Sequence, residues 1–183
     1  MALLHKFKLH KLSYLIFFGF ISLLSISGIK KKELFPSNFH KVNGEIYRSS
    51  QPNKQNFHAF SDIGILSVLN LRHTATDNRE AKGTQIKLYH VSINTWTIEE
   101  KHLVEALKIM AKAPKPLVIH CLHGSDRTGA VIAAYRVIYE NWTKKQAIEE
   151  LQKKEYGYHE KIFPRIKIII ESLEVERLRK ELL

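Results

Sequence analysis

The chain holds a single cysteine, Cys121, and an arginine six positions later, Arg127, within the run His120-Cys121-Leu122-His123-Gly124-Ser125-Asp126-Arg127-Thr128-Gly129. An apolar run, Leu117-Val118-Ile119, leads into this segment, and a second, from Ala130 to Tyr139, leads out of it. The pattern predicts a strand, a tight loop and a helix. The loop's N–H groups then gather at a helix N-terminus, a setting suited to a phosphate-like dianion. A thiolate can attack phosphorus, and a guanidinium fork holds phosphoryl oxygens in a planar pair that lysine does not offer. A free thiol titrates near ~8.5, and a helix N-terminus with nearby positive charge lowers that value, so Cys121 is expected as a thiolate at neutral pH. Leu122, His123, Gly124, Ser125, Asp126 and Arg127 are the expected phosphate-binding positions, with Gly124 leaving room for the backbone to turn its amides inward. Thr128 is expected to cap the helix and to reach the sulfur. His120 is expected to support the loop through hydrogen bonds.

The pattern H-C-x-x-G-x-x-R-T resembles the signature of the protein tyrosine phosphatase superfamily, in the short form of the dual-specificity phosphatases. The resemblance runs over roughly residues 38–160. Val42-Asn43-Gly44-Glu45-Ile46-Tyr47-Arg48-Ser49-Ser50-Gln51-Pro52 is similar to the first strand of the bacterial members, and Gly64-Ile65-Leu66-Ser67-Val68-Leu69-Asn70-Leu71-Arg72 to their second. The Asp126-Arg127-Thr128 version is similar to that of small exported bacterial tyrosine phosphatases. The resemblance implies a phosphomonoesterase acting through a phosphocysteine, with no metal or cofactor and with phosphorylated protein, phosphotyrosine foremost, as its substrate. The same chemistry on phosphoinositides or inositol phosphates is the second reading. A phosphoprotein-binding pseudophosphatase is the third.

The chain departs from that family in one respect. The family carries an aspartate on a mobile loop upstream of the cysteine, where it protonates the leaving oxygen. Here the region reads His90-Val91-Ser92-Ile93-Asn94-Thr95-Trp96-Thr97-Ile98-Glu99-Glu100, with no aspartate. Asn94 falls in the acid's place, and an amide does not supply the ~10²–10⁴-fold that a general acid contributes. Three solutions stand open: Asp126 in the loop, which leads; Glu99 or Glu100; or no acid at all, with good leaving groups only. Asp126 has an alternative structural role, capping the loop or pairing with Arg48 or Arg72. Trp96 is either a pocket wall or an anchor for its loop.

These residues need a scaffold, and the sequence reads as an α/β domain with a largely parallel central sheet. Strands are expected at Glu45–Arg48, Ser67–Leu71, Lys87–Ser92 and Leu117–His120. Helices are expected over Lys54–Asp62, Ile98–Lys112 and Gly129–Glu140. Thr97 and Glu100 form an expected capping box ahead of Leu103, Ala106, Leu107, Met110 and Ala111. Thr143 and Gln146 form another, opening a helix that ends near Gly157. The phosphatase domain is expected over residues 38–175, and residues 176–183 as a charged, solvated helical tail. Arg48, Gln51 and Arg72 are read as ion-pair and loop-supporting residues, and His58, His73 and His90 as structural or surface residues.

Leu12 to Ile29 is nearly continuous apolar sequence, with Lys6, Lys8 and Lys11 before it and Lys30, Lys31 and Lys32 after it. Residues 1–29 are therefore expected to be a signal peptide, or else an N-terminal membrane anchor, giving an exported protein that is periplasmic or membrane-associated. One cysteine suits export, since no internal disulfide competes for it. The formal net charge is +11, and +8 without residues 1–27, which attracts anionic substrates or surfaces. The lysines are scattered and no nucleic-acid motif is present, so nucleic acid is not an expected partner. His120, Cys121 and His123 find no further cysteine or spaced histidine pair to complete a zinc site, so no metal is expected.

Overall fold

The structure, a computed structural model, describes residues 34–183. The expected signal peptide or anchor lies outside the described residues. Within them, five strands form one sheet: β1 (His40–Lys41), β2 (Ile46–Ser49), β3 (Ser67–Asn70), β4 (Lys87–His90) and β5 (Leu117–His120). The spatial order is β1-β2-β5-β3-β4, with β1 antiparallel to β2 and every other pair parallel. β5 therefore runs down the middle, flanked by β2 and β3, and all four of its residues are buried. A strand covered on both faces has no reason to alternate polar and apolar residues, which is why Leu117-Val118-Ile119 reads as a continuous run.

Successive side chains of a strand point to opposite faces. Val118 and its register partners Val68 and Tyr47 face a small cluster built on Phe57 and Phe60 of helix α1 (Lys54–Asp62). Leu117, Ile119, Leu69 and Ile46 face the main core. That core is shared with α2 (Glu100–Lys112), α3 (Asp126–Tyr139), α4 (Lys144–Leu151), α5 (Arg165–Ser172) and α6 (Val175–Leu182). The sheet thus lies between one helix and five. α3 is buried almost all round, as a sequence apolar on most faces from Ala130 onward predicts.

The expected α1 and β5 match the structure residue for residue. Other elements differ at their ends. α2 starts at Glu100 behind Glu99, whose N–H donates to His102 Nδ1 at 3.0 Å, so the capping pair is not Thr97 with Glu100. α3 starts at Asp126 rather than Gly129, which makes Thr128 a residue of the first turn and not its cap; Ser125 holds the cap position. The Thr143–Gln146 box is present, with Gln146 N donating to Thr143 Oγ1 at 3.2 Å. Its helix stops at Leu151, and a 3-10 turn, Lys154–Tyr156, carries the chain to a left-handed Gly157.

The C-terminal segment is a correction as well. α6 is a separate helix after a break at Leu173, and it is not a solvated tail. It buries Leu178, its Arg179 donates to the carbonyls of Val137 and Ile138, and its Glu181 pairs with Lys108 at 2.7 Å. Its polar sequence hides a single apolar stripe that charge counting overlooks.

Candidate active site

Parallel strands of an open α/β sheet deliver their functional residues at their carboxyl ends. Here the central strand ends at His120 and hands the chain to Cys121, which is 2% exposed. The backbone of the loop that follows is held through its carbonyls. The carbonyl of Cys121 lies 3.1 Å from His120 Nδ1, that of Leu122 accepts from Gln51 N at 3.0 Å, and that of His123 accepts from Asn38 Nδ2 at 3.1 Å. Arg48 Nη2 donates to the carbonyl of Gly124 at 2.7 Å, and Gly129 N donates to that of Ser125 at 2.8 Å. Peptide N–H and C=O groups point in opposite directions. With the carbonyls bound outward, the N–H groups turn to the other side. Among the described residues, nothing accepts from the N–H groups of residues 122–128. That arrangement is a concave set of donors at the head of α3, a cradle for a phosphate-like anion.

Gly124 makes the tight path possible. Its φ is +72°, and a Cβ there would sit 2.4 Å from the Ser49 carbonyl oxygen at the end of β2. The loop presses on the neighbouring strand so closely that a side chain has no place. Arg127, half-buried, donates from Nη1 to the Ile93 carbonyl at 3.3 Å, which brings the loop around residues 93–97 against the cradle. Thr128 Oγ1 is buried and takes no hydrogen bond.

Behind the loop, His120 is fully buried and its Nε2 lies 2.7 Å from Asp77 Oδ2. Both ring nitrogens face oxygen atoms, Nδ1 the Cys121 carbonyl and Nε2 the Asp77 carboxylate. Burial pushes the Asp77 carboxyl up, but the hydrogen bonds from His120, Gln51 and Asn70 and the charge of His120 outweigh it and hold it below the usual carboxylate range. Gln51 links outward, donating to Asp77 Oδ1 at 3.0 Å and accepting from Arg72 at 2.8 Å. Arg48 spans the Gly124 carbonyl and the face of Tyr156, 4.0 Å from the ring centroid. Arg48, Gln51 and Arg72 are therefore placed as loop supports. Neither arginine pairs with Asp126.

Asp126 is buried and holds a different residue. Its Oδ1 accepts from His159 N at 2.9 Å, and His159 Nδ1 lies 3.2 Å from Oδ1 and 3.0 Å from Oδ2. Asn94 is occupied locally, its Oδ1 accepting from Trp96 N at the head of the 3-10 turn Thr95–Thr97. Glu99 pairs with Lys101 at 2.8 Å, and Glu100 pairs with Arg177 of α6. Trp96 is 67% exposed, with its ring packed edge-on against Phe163 at 4.8 Å. Leu122 and His123 are exposed on the loop itself.

Sequence reasoning missed Asn38, Asp77, Tyr156 and His159. Asp77 sits in a polar loop with no motif. Its only trace is that a buried histidine before the cysteine needs an acid partner. Asn38 and His159 carry no sequence signal, because their positions depend on where distant segments dock.

Comparison with known proteins gives the family and the fold. A profile described as "Tyrosine phosphatase family" matches residues 33–180. The dual specificity protein phosphatase TpbA of Pseudomonas aeruginosa is 25% identical over 123 residues, covering 66% of this chain and 56% of TpbA. The inositol diphosphatase SIW14 of Saccharomyces cerevisiae is 33% identical over 135 residues, covering 68% of this chain and 48% of SIW14. The chain thus spans about half the length of these curated relatives. Among solved structures, TpbA in complex with phosphotyrosine superposes with a TM-score of 0.70 at 19% identity, covering 84% of this chain and 98% of that one. The Siw14 catalytic core gives 0.68 at 29% identity, covering 80% and 90%.

Proposed function

The chain belongs to the tyrosine phosphatase family, and on that premise we propose that it is a cysteine-dependent phosphomonoesterase that prefers phosphotyrosine. The observation that carries this reading is the cradle. The N–H groups of residues 122–128, without acceptors among the described residues, leave a set of donors for an anion at the end of the strand that presents Cys121. In the proposed reaction Sγ attacks phosphorus in line, the P–O bond to the leaving group breaks, and a phosphocysteine forms. The loop amides and Arg127 stabilise the charge on the equatorial oxygens, where preorganised donors act most strongly. Water then attacks the phosphocysteine, releasing phosphate and restoring the thiolate. The supports under the loop carbonyls keep those donors in place before substrate arrives.

The rim favours an aryl ester. Arg127 ties the 93–97 loop to the cradle, and this loop carries the exposed Trp96 with Phe163 against it. Leu122 is exposed on the cradle loop. Such a wall suits the ring of a tyrosyl phosphate better than a polyhydroxylated ring. A second reading, an inositol phosphate substrate, draws support from the inositol diphosphatases among the relatives. Both substrates are tested with the full-length chain and without added metal. A phosphotyrosine peptide is expected to release phosphate faster than an inositol polyphosphate, and Cys121→Ser is expected to abolish both. The reverse preference would establish the second reading, and no Cys121-dependent turnover would leave a phosphate-binding pseudoenzyme.

A further inference from the structure

The proposed reaction needs a proton for the leaving oxygen, and the positions usually considered are all engaged. Asn94 is an amide bound to its own turn, Glu99 and Glu100 face basic partners, and the Asp126 oxygens are taken by His159. We infer that His159 is the proton donor to the leaving group and that Asp126 is the positioning residue that holds it. The inference rests on the phosphatase reading above.

Two attachments fix His159 on one residue. The Asp126 carboxylate accepts from its backbone N–H and faces its ring Nδ1, so neither the main chain nor the ring turns freely. The bond to a carboxylate requires the proton on Nδ1, which leaves Nε2 as the outward nitrogen. No described residue bonds to Nε2, and the side chain is 45% exposed. A carboxylate on one nitrogen of an imidazole fixes its tautomer and orientation and stabilises the imidazolium, the form that donates a proton.

The segment bearing His159 is docked on the cradle. Asn38 Nδ2 donates to both the His123 and Tyr156 carbonyls at 3.1 Å, tying loop and segment together. Gly157 lies so close to Ser125 that a Cβ would come within 3.3 Å of its hydroxyl. The His159 ring stands 6.2 Å from that of His123. The imidazole is thus anchored at residue 126 and neighbours residue 123, two positions of the cradle loop. In the first step the Nε2 proton passes to the leaving oxygen as the P–O bond breaks and the S–P bond forms. In the second, neutral Nε2 takes a proton from the attacking water as the S–P bond breaks, which restores the imidazolium.

The test is the dependence of kcat/KM on the leaving group, measured with the full-length chain on a series of aryl phosphates from activated nitrophenyl esters to phenyl and tyrosyl esters. His159→Gln is expected to lose about 10²-fold on the tyrosyl ester and markedly less on the most activated one, so that the slope against leaving-group pKa steepens. Asp126→Asn keeps an acceptor for the His159 N–H and is expected to steepen the slope in the same direction, which covers the case in which His159→Gln folds poorly. Equal losses across the series, or none, would overturn the proposal. So would a steepened slope in Asp126→Asn with an unchanged one in a folded His159→Gln, which would make Asp126 itself the acid. Absence of Cys121-dependent turnover on every ester in the parent protein would overturn the phosphatase reading and this inference together. A parent that turns over with an unaltered slope in both variants would remove this inference alone.

Discussion

At the scale of single residues, the loop carbonyls and the carboxylates behind them are matched to donors, and Asp77 is the one with the most at stake. It is buried and accepts from His120 and Gln51, and its pKa lies below that of a free aspartate because those bonds outweigh the effect of burial. A carboxyl whose folded pKa is depressed stabilises the fold above its unfolded value near ~3.9, and that contribution disappears as pH falls through the folded value. Asp77→Asn is therefore expected to cost about 1–3 kcal/mol near neutral pH, read as a lower urea midpoint. The gap from the parent should begin to narrow below the unfolded value near ~3.9 and close only as pH falls through the lower folded value, where the parent's carboxyl is neutral in both states. A gap independent of pH would mean that shape rather than charge is what Asp77 contributes. This pair also shows what the sequence withholds. Cys121, Arg127 and Gly124 are legible because their spacing is local and the chemistry dictates it. Asp77 lies 43 positions from His120, and no rule of spacing connects a polar loop residue to a strand so far along the chain.

At the scale of elements, α3 is the hub, and its close packing is set at Gly129. A Cβ there would approach Leu151 Cδ1 of α4 to 2.5 Å, and Leu151 is itself buried. Gly129→Ala gains about 1 kcal/mol of helix propensity, whereas overpacking costs about 1–3 kcal/mol, so net destabilisation is expected. Leu151→Ala alone should cost about 2–5 kcal/mol by opening a cavity. The two together should cost less than their sum by at least about 0.5 kcal/mol in equilibrium unfolding, since the new methyl fills part of the space. Strict additivity would show that the helices separate rather than interlock. The same contact explains how element boundaries were read. Gly129 followed by an apolar run invites a helix starting at the glycine, yet the helix begins three residues earlier because the end of the cradle loop is its own first turn. Strands and helices away from the site were legible from periodicity. The ends were governed by caps such as Glu99 with His102, which resemble ordinary surface residues in the sequence.

At the scale of the whole molecule, the folded unit runs from Leu34 to Leu183, and its C-terminal helix belongs to the core. Ending the chain at Glu174 would remove Leu178, 1% exposed, together with the Arg179 bonds to α3 and the Lys108–Glu181 pair. Burial of one leucine alone stabilises by about 1.5–3 kcal/mol. Thermal unfolding of the truncated chain is therefore expected at least about 3 °C lower, and an unchanged Tm would restore the reading of a solvated tail. The order of the sheet has one more consequence, which concerns how the molecule is made. β5 is the last strand in the sequence and the middle strand in space. Until it arrives, β1 with β2 and β3 with β4 are two separate ribbons, each with an open edge facing the gap. Such long-range parallel pairing closes late and slowly, and open edges attract other chains while they wait. The strand that closes the gap is also the one that presents Cys121, the proposed nucleophile, so a half-built chain carries Cys121 without its cradle, and the candidate site comes into being only as the sheet is completed.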